Sequence, residues 1–152
     1  MTFTVKNVDW GNEQHKLRKI REKVFVCQWR IPWEYEFDHQ DSDAFHVLVV
    51  DENDQVVATA RMTPKGEIGR IAVEPLYRGP EVYQALFNAL ISIAEQHGML
   101  EVLVHCELEG VDYYQQQGFR PVGSVFMDAG IPRQSMGCSL SNFSLTRVEL
   151  TH

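Results

Sequence analysis

The centre of the chain, residues 68–98, reads IGRIAVEPLYRGPEVYQALFNALISIAEQHG. Residues 68–73 are rich in apolar and β-branched side chains, and the pair Glu74-Pro75 ends the strand, because proline has no N–H for a sheet ladder. After a short loop, apolar side chains recur at steps of three and four, as on one helical face. They are Val82, Leu86, Ala89, Leu90 and Ile93. The stretch therefore predicts a strand, a loop and a long helix that ends at Gly98.

The rest of the chain supplies further strands and helices. Compact or alternating apolar runs predict strands at residues 2–8, 46–50, 56–62, 100–106 and 119–127, with a last strand from 135 onward. Helical spacing predicts helices at about 13–26, after a break at Trp10-Gly11-Asn12, and at 111–117. A turn is expected around Gly130-Ile131-Pro132, and residues 141–152 form either an extra strand or a tail. The resulting order, βαβββαβαββ, predicts a mixed α/β (α+β) protein with a right-handed crossover between two parallel strands.

The composition is that of an ordinary globular protein, with 44% hydrophobic and 23% charged residues in a chain of 152. We expect one domain over residues 1–152. No apolar run reaches the roughly 18 residues that span a membrane, and the first residues lack a signal-peptide pattern, so a cytoplasmic protein without membrane contact is expected. The net charge of −7 argues against nucleic acid and suits a basic amine. Cys27, Cys106 and Cys138 are too scattered for a disulfide framework or a zinc site, and no metal is expected.

Four motifs, spread over almost the whole chain, resemble the GNAT superfamily of acyl-CoA-dependent N-acyltransferases, and two of them are similar to its ElaA-like branch. They are Arg21-Glu22-x-Val24-Phe25-Val26, Val73-x-Pro75-x-Tyr77-Arg78-Gly79, Tyr113-Tyr114-Gln-Gln-Gln-Gly118-Phe119, and Phe126-x-x-Ala129-Gly130-Ile131-Pro132-x-x-x-Met136. The resemblance implies a GNAT-like fold, with a mostly antiparallel twisted sheet in which one parallel pair of strands splays apart to form a cleft. It also implies an N-acetyltransferase that uses acetyl-CoA as cosubstrate.

The resemblance implies roles for several residues. The backbone of Ile71, Ala72 and Val73 would bind the pantetheine arm, and Tyr114 would give a proton to the departing thiolate. The loop that would bind the pyrophosphate consists of Arg78, Gly79, Pro80, Glu81, Val82 and Tyr83. For the general base, Glu67 is the candidate, with an exposed hairpin residue as its alternative. His105 and Glu107 could instead relay the proton through water, although His105 is as readily an ordinary strand histidine.

The pyrophosphate loop departs from the family pattern Arg/Gln-x-x-Gly-x-Gly/Ala. The two pattern glycines are replaced here by Glu81 and Tyr83, and Pro80 supplies no N–H. Glu81 brings negative charge toward a pyrophosphate, at a cost of about 1 kcal/mol or more if uncompensated. Two function classes therefore stay open. The chain is either an N-acetyltransferase acting on a primary amine of a small molecule or of a peptide, or an inactive GNAT-fold binding module.

The resemblance implies that the residues between the first helix and the second strand lie on the acceptor side. Trp29, Trp33, Tyr35 and Phe37 lie among acidic residues, and they either line an acceptor pocket or close the core beneath a loop. The run Asp38-x-x-Asp41-x-Asp43 lacks the register of a calcium loop and is predicted to be solvated, as are the basic residues of the first helix, Arg21 included. Relatives dimerise through their terminal strands, so a homodimer is an open expectation.

Overall fold

The computed structural model describes residues 3–28, 30 and 37–142 and contains a seven-stranded sheet. Its strands are β1 (Thr4–Val8), β2 (Phe45–Val50), β3 (Val56–Met62), β4 (Glu67–Val73), β5 (Glu101–Glu107), β6 (Arg120–Asp128) and β7 (Ile131–Ser139). The α-helices are α1 (Trp10–Arg21), α2 (Pro80–Gln96) and α3 (Val111–Gln116). The sheet order is β1-β2-β3-β4-β5-β7-β6, and every neighbouring pair is antiparallel except β4 with β5. Both the predicted order of elements and the mixed fold class are confirmed.

The two long helices cover opposite faces of the sheet. Successive side chains of a strand point to opposite faces, and β4 shows this at its end. Ile71 and Val73 are buried with α2, whereas Ala72 is buried with Ile20 and Val24 at the end of α1 and in the π-helical turns Glu22–Gln28 that continue it. The predicted apolar face of α2 is thus buried. Burial of each large aliphatic side chain contributes about 1.5–3 kcal/mol to the stability of the fold. Among the helices that the structure describes, none has both the length and the apolarity to cross a membrane.

Two predicted boundaries are wrong. The break at Trp10-Gly11-Asn12 is instead the first turn of α1, because the Asp9 side chain accepts a hydrogen bond from the Asn12 N–H at 2.8 Å and caps a helix that begins at Trp10, three residues before the predicted start. The β6–β7 turn lies at Ala129-Gly130, where both residues have positive φ, as a tight hairpin turn requires. Ile131 and Pro132 therefore begin β7. At the other end of β7, a short 3₁₀ turn spans Leu140–Asn142, and residues 143–152 lie outside the described part of the chain.

Candidate active site

A cleft opens between β4 and β5, because the two strands pair only where the first two residues of β4 meet the middle of β5. Glu67 lies opposite Leu103 and Ile68 opposite Val104, and the Leu103 N–H donates to the Gly66 carbonyl at 2.8 Å. The rest of β4 pairs with β3, while β5 pairs along its whole length with β7. The splayed parallel pair that the resemblance implied is therefore present.

A β-bulge in β4 changes which side chains face this region. Thr59 of β3 lies opposite Ala72, but Arg61 lies opposite Gly69, so that Arg70 and Ile71 together face one residue of β3. Arg70 adopts the left-handed conformation, with φ of 50°, which costs a residue with a side chain about 1–2 kcal/mol. Strict alternation would place Arg70 and Glu67 on opposite faces of β4. The bulge resets that alternation.

Glu67 and Arg70 consequently line one polar pocket of about 200 Å³. The pocket is bounded by Asp38, Gln40, Arg61, Thr63, Glu67, Ile68, Gly69, Arg70, His105, Phe126 and Asp128. Glu67 Oε2 lies 3.5 Å from His105 Nε2, and His105 Nδ1 lies 2.8 Å from the Ser135 hydroxyl oxygen, which fixes the imidazole ring. Glu67, the predicted base, and His105, one of the predicted relay residues, are neighbours here, because parallel pairing sets β4 and β5 side by side. Glu107, the other relay candidate, is exposed at the end of β5.

Tyr114 lies on α3, beyond the carboxyl end of β5. Its side chain is only 2% exposed and packs edge-on against Phe119, with ring centroids 5.2 Å apart. A Cβ placed on Gly110 would be 3.9 Å from the Tyr114 ring and 3.5 Å from Cys106 Cβ, so the ring lies near the last residues of β5. Tyr114 is not among the described residues that line the polar pocket. Its predicted role as proton donor stays a prediction.

The predicted pyrophosphate loop forms the first turn of α2. Gly79 is the N-cap, Pro80 occupies the first helical position, and the Gly79 N–H already donates to the Tyr77 carbonyl at 2.9 Å. The backbone N–H groups of Glu81 and Val82 remain as the donors of a helix N-terminus, beside a hollow of about 210 Å³. The exposed Glu81 carboxylate lies at the same helix end.

Two side chains beside this turn, those of Tyr83 and Arg78, are engaged within the fold. The Tyr83 ring is 5% exposed and belongs to the hydrophobic core, so it does not cover the turn, and burial raises the pKa of its phenol although Arg78 acts against this. Arg78 Nε donates to the Val73 carbonyl at 2.9 Å. One of the backbone acceptors expected for the pantetheine arm is therefore already engaged by a side chain of the loop.

A buried network of charges corrects the prediction of a solvated acidic loop. Asp41 is 1% exposed and accepts hydrogen bonds from Arg21 at 2.7 and 3.3 Å and from Arg61 at 3.0 Å. Asp38 accepts from Arg61 at 2.8 Å and from Arg70 at 3.2 Å. Arg21, expected on a solvated face, is also 1% exposed. We call Arg21, Asp38, Asp41, Arg61 and Arg70 the charge network.

Burial alone would raise the pKa of Asp41, but the hydrogen bond and charge of Arg21 and the charge of Arg61 outweigh it and hold the pKa below its usual value. His46, whose Nε2 lies 2.8 Å from the Asp41 carbonyl oxygen, has a lowered pKa, chiefly because burial disfavours the imidazolium. Phe37 stacks with the guanidinium groups of Arg18 and Arg21, 4.9 and 5.1 Å from its ring centre. Of the predicted acceptor aromatics, Trp29, Trp33 and Tyr35 lie outside the described residues.

The sequence of this chain is similar to those of known proteins. The model of the family described as "Acetyltransferase (GNAT) domain" matches residues 23–140. YjcF of Bacillus subtilis (strain 168), described as an uncharacterized N-acetyltransferase, is 30% identical over 121 residues, which cover 77% of this chain and 86% of YjcF. Protein ElaA of Escherichia coli (strain K12) is 29% identical over 133 residues, covering 82% of this chain and 86% of ElaA.

Solved structures agree with the sequence comparison. The crystal structure of Escherichia coli ElaA matches with a TM-score of 0.73 and 25% identity, over 90% of this chain and 99% of that one. An acyl-CoA N-acyltransferase from Pseudomonas aeruginosa matches with a TM-score of 0.76 and 23% identity, over 90% of this chain and 99% of that one, and shares the fold. This chain belongs to the GNAT acetyltransferase family, with ElaA among its homologues.

Proposed function

We propose that the protein is an N-acetyltransferase that moves the acetyl group of acetyl-CoA to a primary amine, within a single GNAT domain over residues 1–152. The amine nitrogen attacks the thioester carbonyl, a C–N bond forms, and the C–S bond breaks. The amine proton passes to Glu67, directly or through His105, and the departing thiolate takes a proton from Tyr114. The observation that carries the proposal is the carboxylate–imidazole pair Glu67–His105 at the point where β4 and β5 separate.

The cleft supports this assignment because it meets the needs of acyl transfer. The β4 segment past the parallel pairing, with Ile71, Ala72 and Val73, offers backbone groups to a pantetheine arm lying along it. The first turn of α2 offers the Glu81 and Val82 N–H groups and the positive end of the helix dipole to a pyrophosphate. The pantetheine arm competes with Arg78 for the Val73 carbonyl, and the Arg78 guanidinium places a positive charge at the helix end where the phosphates would bind.

We expect acetyl-CoA to bind wild-type protein weakly and to bind a Glu81→Gln variant several-fold more tightly. The reason is that the substitution removes a carboxylate from the helix end that would face the pyrophosphate. The binding free energy of acetyl-CoA should become more favourable by about 1 kcal/mol. Isothermal titration with acetyl-CoA measures this. Glu95→Gln is the matched control, since Glu95 is exposed near the other end of the same helix and its loss should leave the dissociation constant unchanged.

The same titration decides between the two function classes. The alternative, an inactive GNAT-fold binding module, is favoured by Pro80, by Glu81 and by the engagement of the Val73 carbonyl. Absence of heat at millimolar acetyl-CoA, for wild type and for Glu81→Gln alike, would leave only that alternative. Equal affinity of the two proteins would show that the Glu81 charge does not matter to the nucleotide.

We expect Tyr114→Phe to lower kcat by about 100-fold, the low end of what general-acid catalysis contributes. The ring keeps its packing against Phe119, so the folded structure and the dissociation constant for acetyl-CoA should be unchanged. Steady-state release of free thiol, combined with titration of the variant, separates the two quantities. An unaltered kcat would remove Tyr114 from the mechanism and leave proton transfer to water.

A further inference from the structure

The polar pocket beside Glu67 carries charges of both signs in its wall. Glu67 and His105 stand at the side formed by the beginning of β4 and by β5. Arg61 and Arg70 stand at the side formed by the bulge, and their side chains are only 7% and 10% exposed. The lining also includes the carboxylates of Asp38 and Asp128. Within it, the guanidinium groups can bind a carboxylate, and the carboxylate of Glu67 attracts an amine. The combination suits a ligand that itself carries both charges.

The two guanidinium groups are held in place before any ligand arrives. Asp38 accepts a hydrogen bond from Arg61 at 2.8 Å and another from Arg70 at 3.2 Å, so that one carboxylate sets both side chains next to each other. Asp41, which is almost completely buried, accepts a second hydrogen bond from Arg61 at 3.0 Å. Guanidinium groups fixed in this way lose little entropy on binding and match the two oxygens of a carboxylate.

The backbone strain in β4 serves this arrangement. A regular strand would direct Arg70 to the face opposite Glu67, away from the pocket. The left-handed residue at position 70, whose φ is 50°, brings both side chains to the same pocket at a cost of about 1–2 kcal/mol. Strain of this kind commonly accompanies a functional site.

The dimensions limit the size of the ligand. Residues three apart on a strand are separated by at most about 10 Å between Cα atoms, and the long side chains of Glu67 and Arg70 narrow the gap. A pocket of about 200 Å³ has the volume of roughly seven liquid waters. An amino group and a carboxylate held by these residues must therefore lie close together in one small molecule.

We propose that the acceptor is a free amino acid or a close analogue, whose carboxylate binds Arg70 and Arg61 and whose amine is placed at Glu67 and His105. This inference rests on the proposed acetyl transfer and names its acceptor. Arg70 acts as a substrate-binding residue. The product is the N-acetyl amino acid, formed with release of the thiol, and the transfer needs no further reactant.

The test compares matched acceptors on the wild-type protein. Free L-amino acids and their carboxamides, which keep the amine and side chain but lack the carboxylate, are supplied with acetyl-CoA, and thiol release is followed. We expect the acids to react with kcat/KM roughly 10- to 100-fold higher, the effect of a hydrogen-bonded charge pair. The carboxamide has the more readily deprotonated amine, which biases the comparison against this expectation.

The outcomes distinguish the two proposals. Carboxamides or simple alkylamines that react as well as the acids would overturn the amino-acid inference and leave N-acetyltransferase activity standing. Protein that binds no acetyl-CoA and acetylates no amine would overturn the proposed function, and the acceptor inference with it.

Variants of Arg70 provide a second measurement. Arg70→Gln and the milder Arg70→Lys should raise KM for the amino acid, with little change for the carboxamide, whereas a purely structural role would impair both acceptors equally. Arg120→Gln is the control, because Arg120 is exposed and pairs with Glu101 on the surface. An unchanged preference for the acid in folded Arg70→Lys and Arg70→Gln would overturn the assignment.

Discussion

An Asp41→Asn variant should lose about 3–5 kcal/mol of unfolding free energy, the usual effect of removing one partner from a buried ion pair. Asp41 neutralises Arg21 and Arg61 at a site that is 1% exposed, and the neutral amide would leave both guanidinium groups buried without that charge. Urea denaturation followed by circular dichroism measures the change. Asp43→Asn is the matched control. Asp43 is an exposed neighbour, and its substitution should change the unfolding free energy by no more than about 0.5 kcal/mol.

The sign of the pH dependence follows from the lowered pKa of Asp41. A carboxyl whose pKa is lower in the folded than in the unfolded state stabilises the fold at pH values above its unfolded pKa, which is about 3.9 for an ordinary aspartate. That contribution is lost as the pH falls through the folded pKa. Wild type should therefore lose more stability than Asp41→Asn on acidification below about pH 4. Parallel acid profiles of the two proteins would contradict the proposed role of this ion pair.

Glu67→Gln should lower kcat by about 10²- to 10⁴-fold, the range of general-base catalysis. Glutamine keeps the size of the side chain but cannot accept the proton that the attacking amine releases. Steady-state thiol release with a saturating amine acceptor measures the loss. Glu101→Gln is a suitable control, because Glu101 lies on the neighbouring strand β5 but pairs with the exposed Arg120.

The position of Glu67 beside His105 makes the outcome informative about both residues. If His105→Gln lowers kcat more than Glu67→Gln does, the imidazole is the base and Glu67 orients it across the 3.5 Å contact. If both variants turn over at the wild-type rate, neither residue takes the proton. If Glu67→Gln raises KM for the amine and leaves kcat unchanged, Glu67 only attracts the amine.

The sequence was informative wherever local patterns govern structure. The periodicity of residues 82–93 predicted α2, and Gly98, with φ of 70°, ends it as expected. The order of elements and the parallel neighbours β4 and β5 were also predicted, since a strand–helix–strand passage has few alternatives. Local patterning failed at Asp9, where a cap moved the start of α1.

The charge network was missed because its members are far apart in the chain and polar. Asp38 and Asp41 stand in a segment that reads as a solvated loop, and ion pairing leaves no periodic trace. One signal was available. Arg61 and Arg70 lie within otherwise apolar strands, where an arginine is rarely buried without a carboxylate partner. Arginines within such strands, in a chain that also carries an acidic run, predict ion pairing between the two.

The amino-acid sequence by itself determined the family and the order of strands and helices, because both depend on short-range patterns. Only the tertiary structure decided that Glu67 adjoins His105 and that Arg70 shares their pocket. The first depends on the register of two parallel strands joined by a long helix, and the second on a single left-handed residue in β4. Neither register nor a bulge is encoded in the alternation of apolar and polar residues, since both are fixed only when one strand pairs with another.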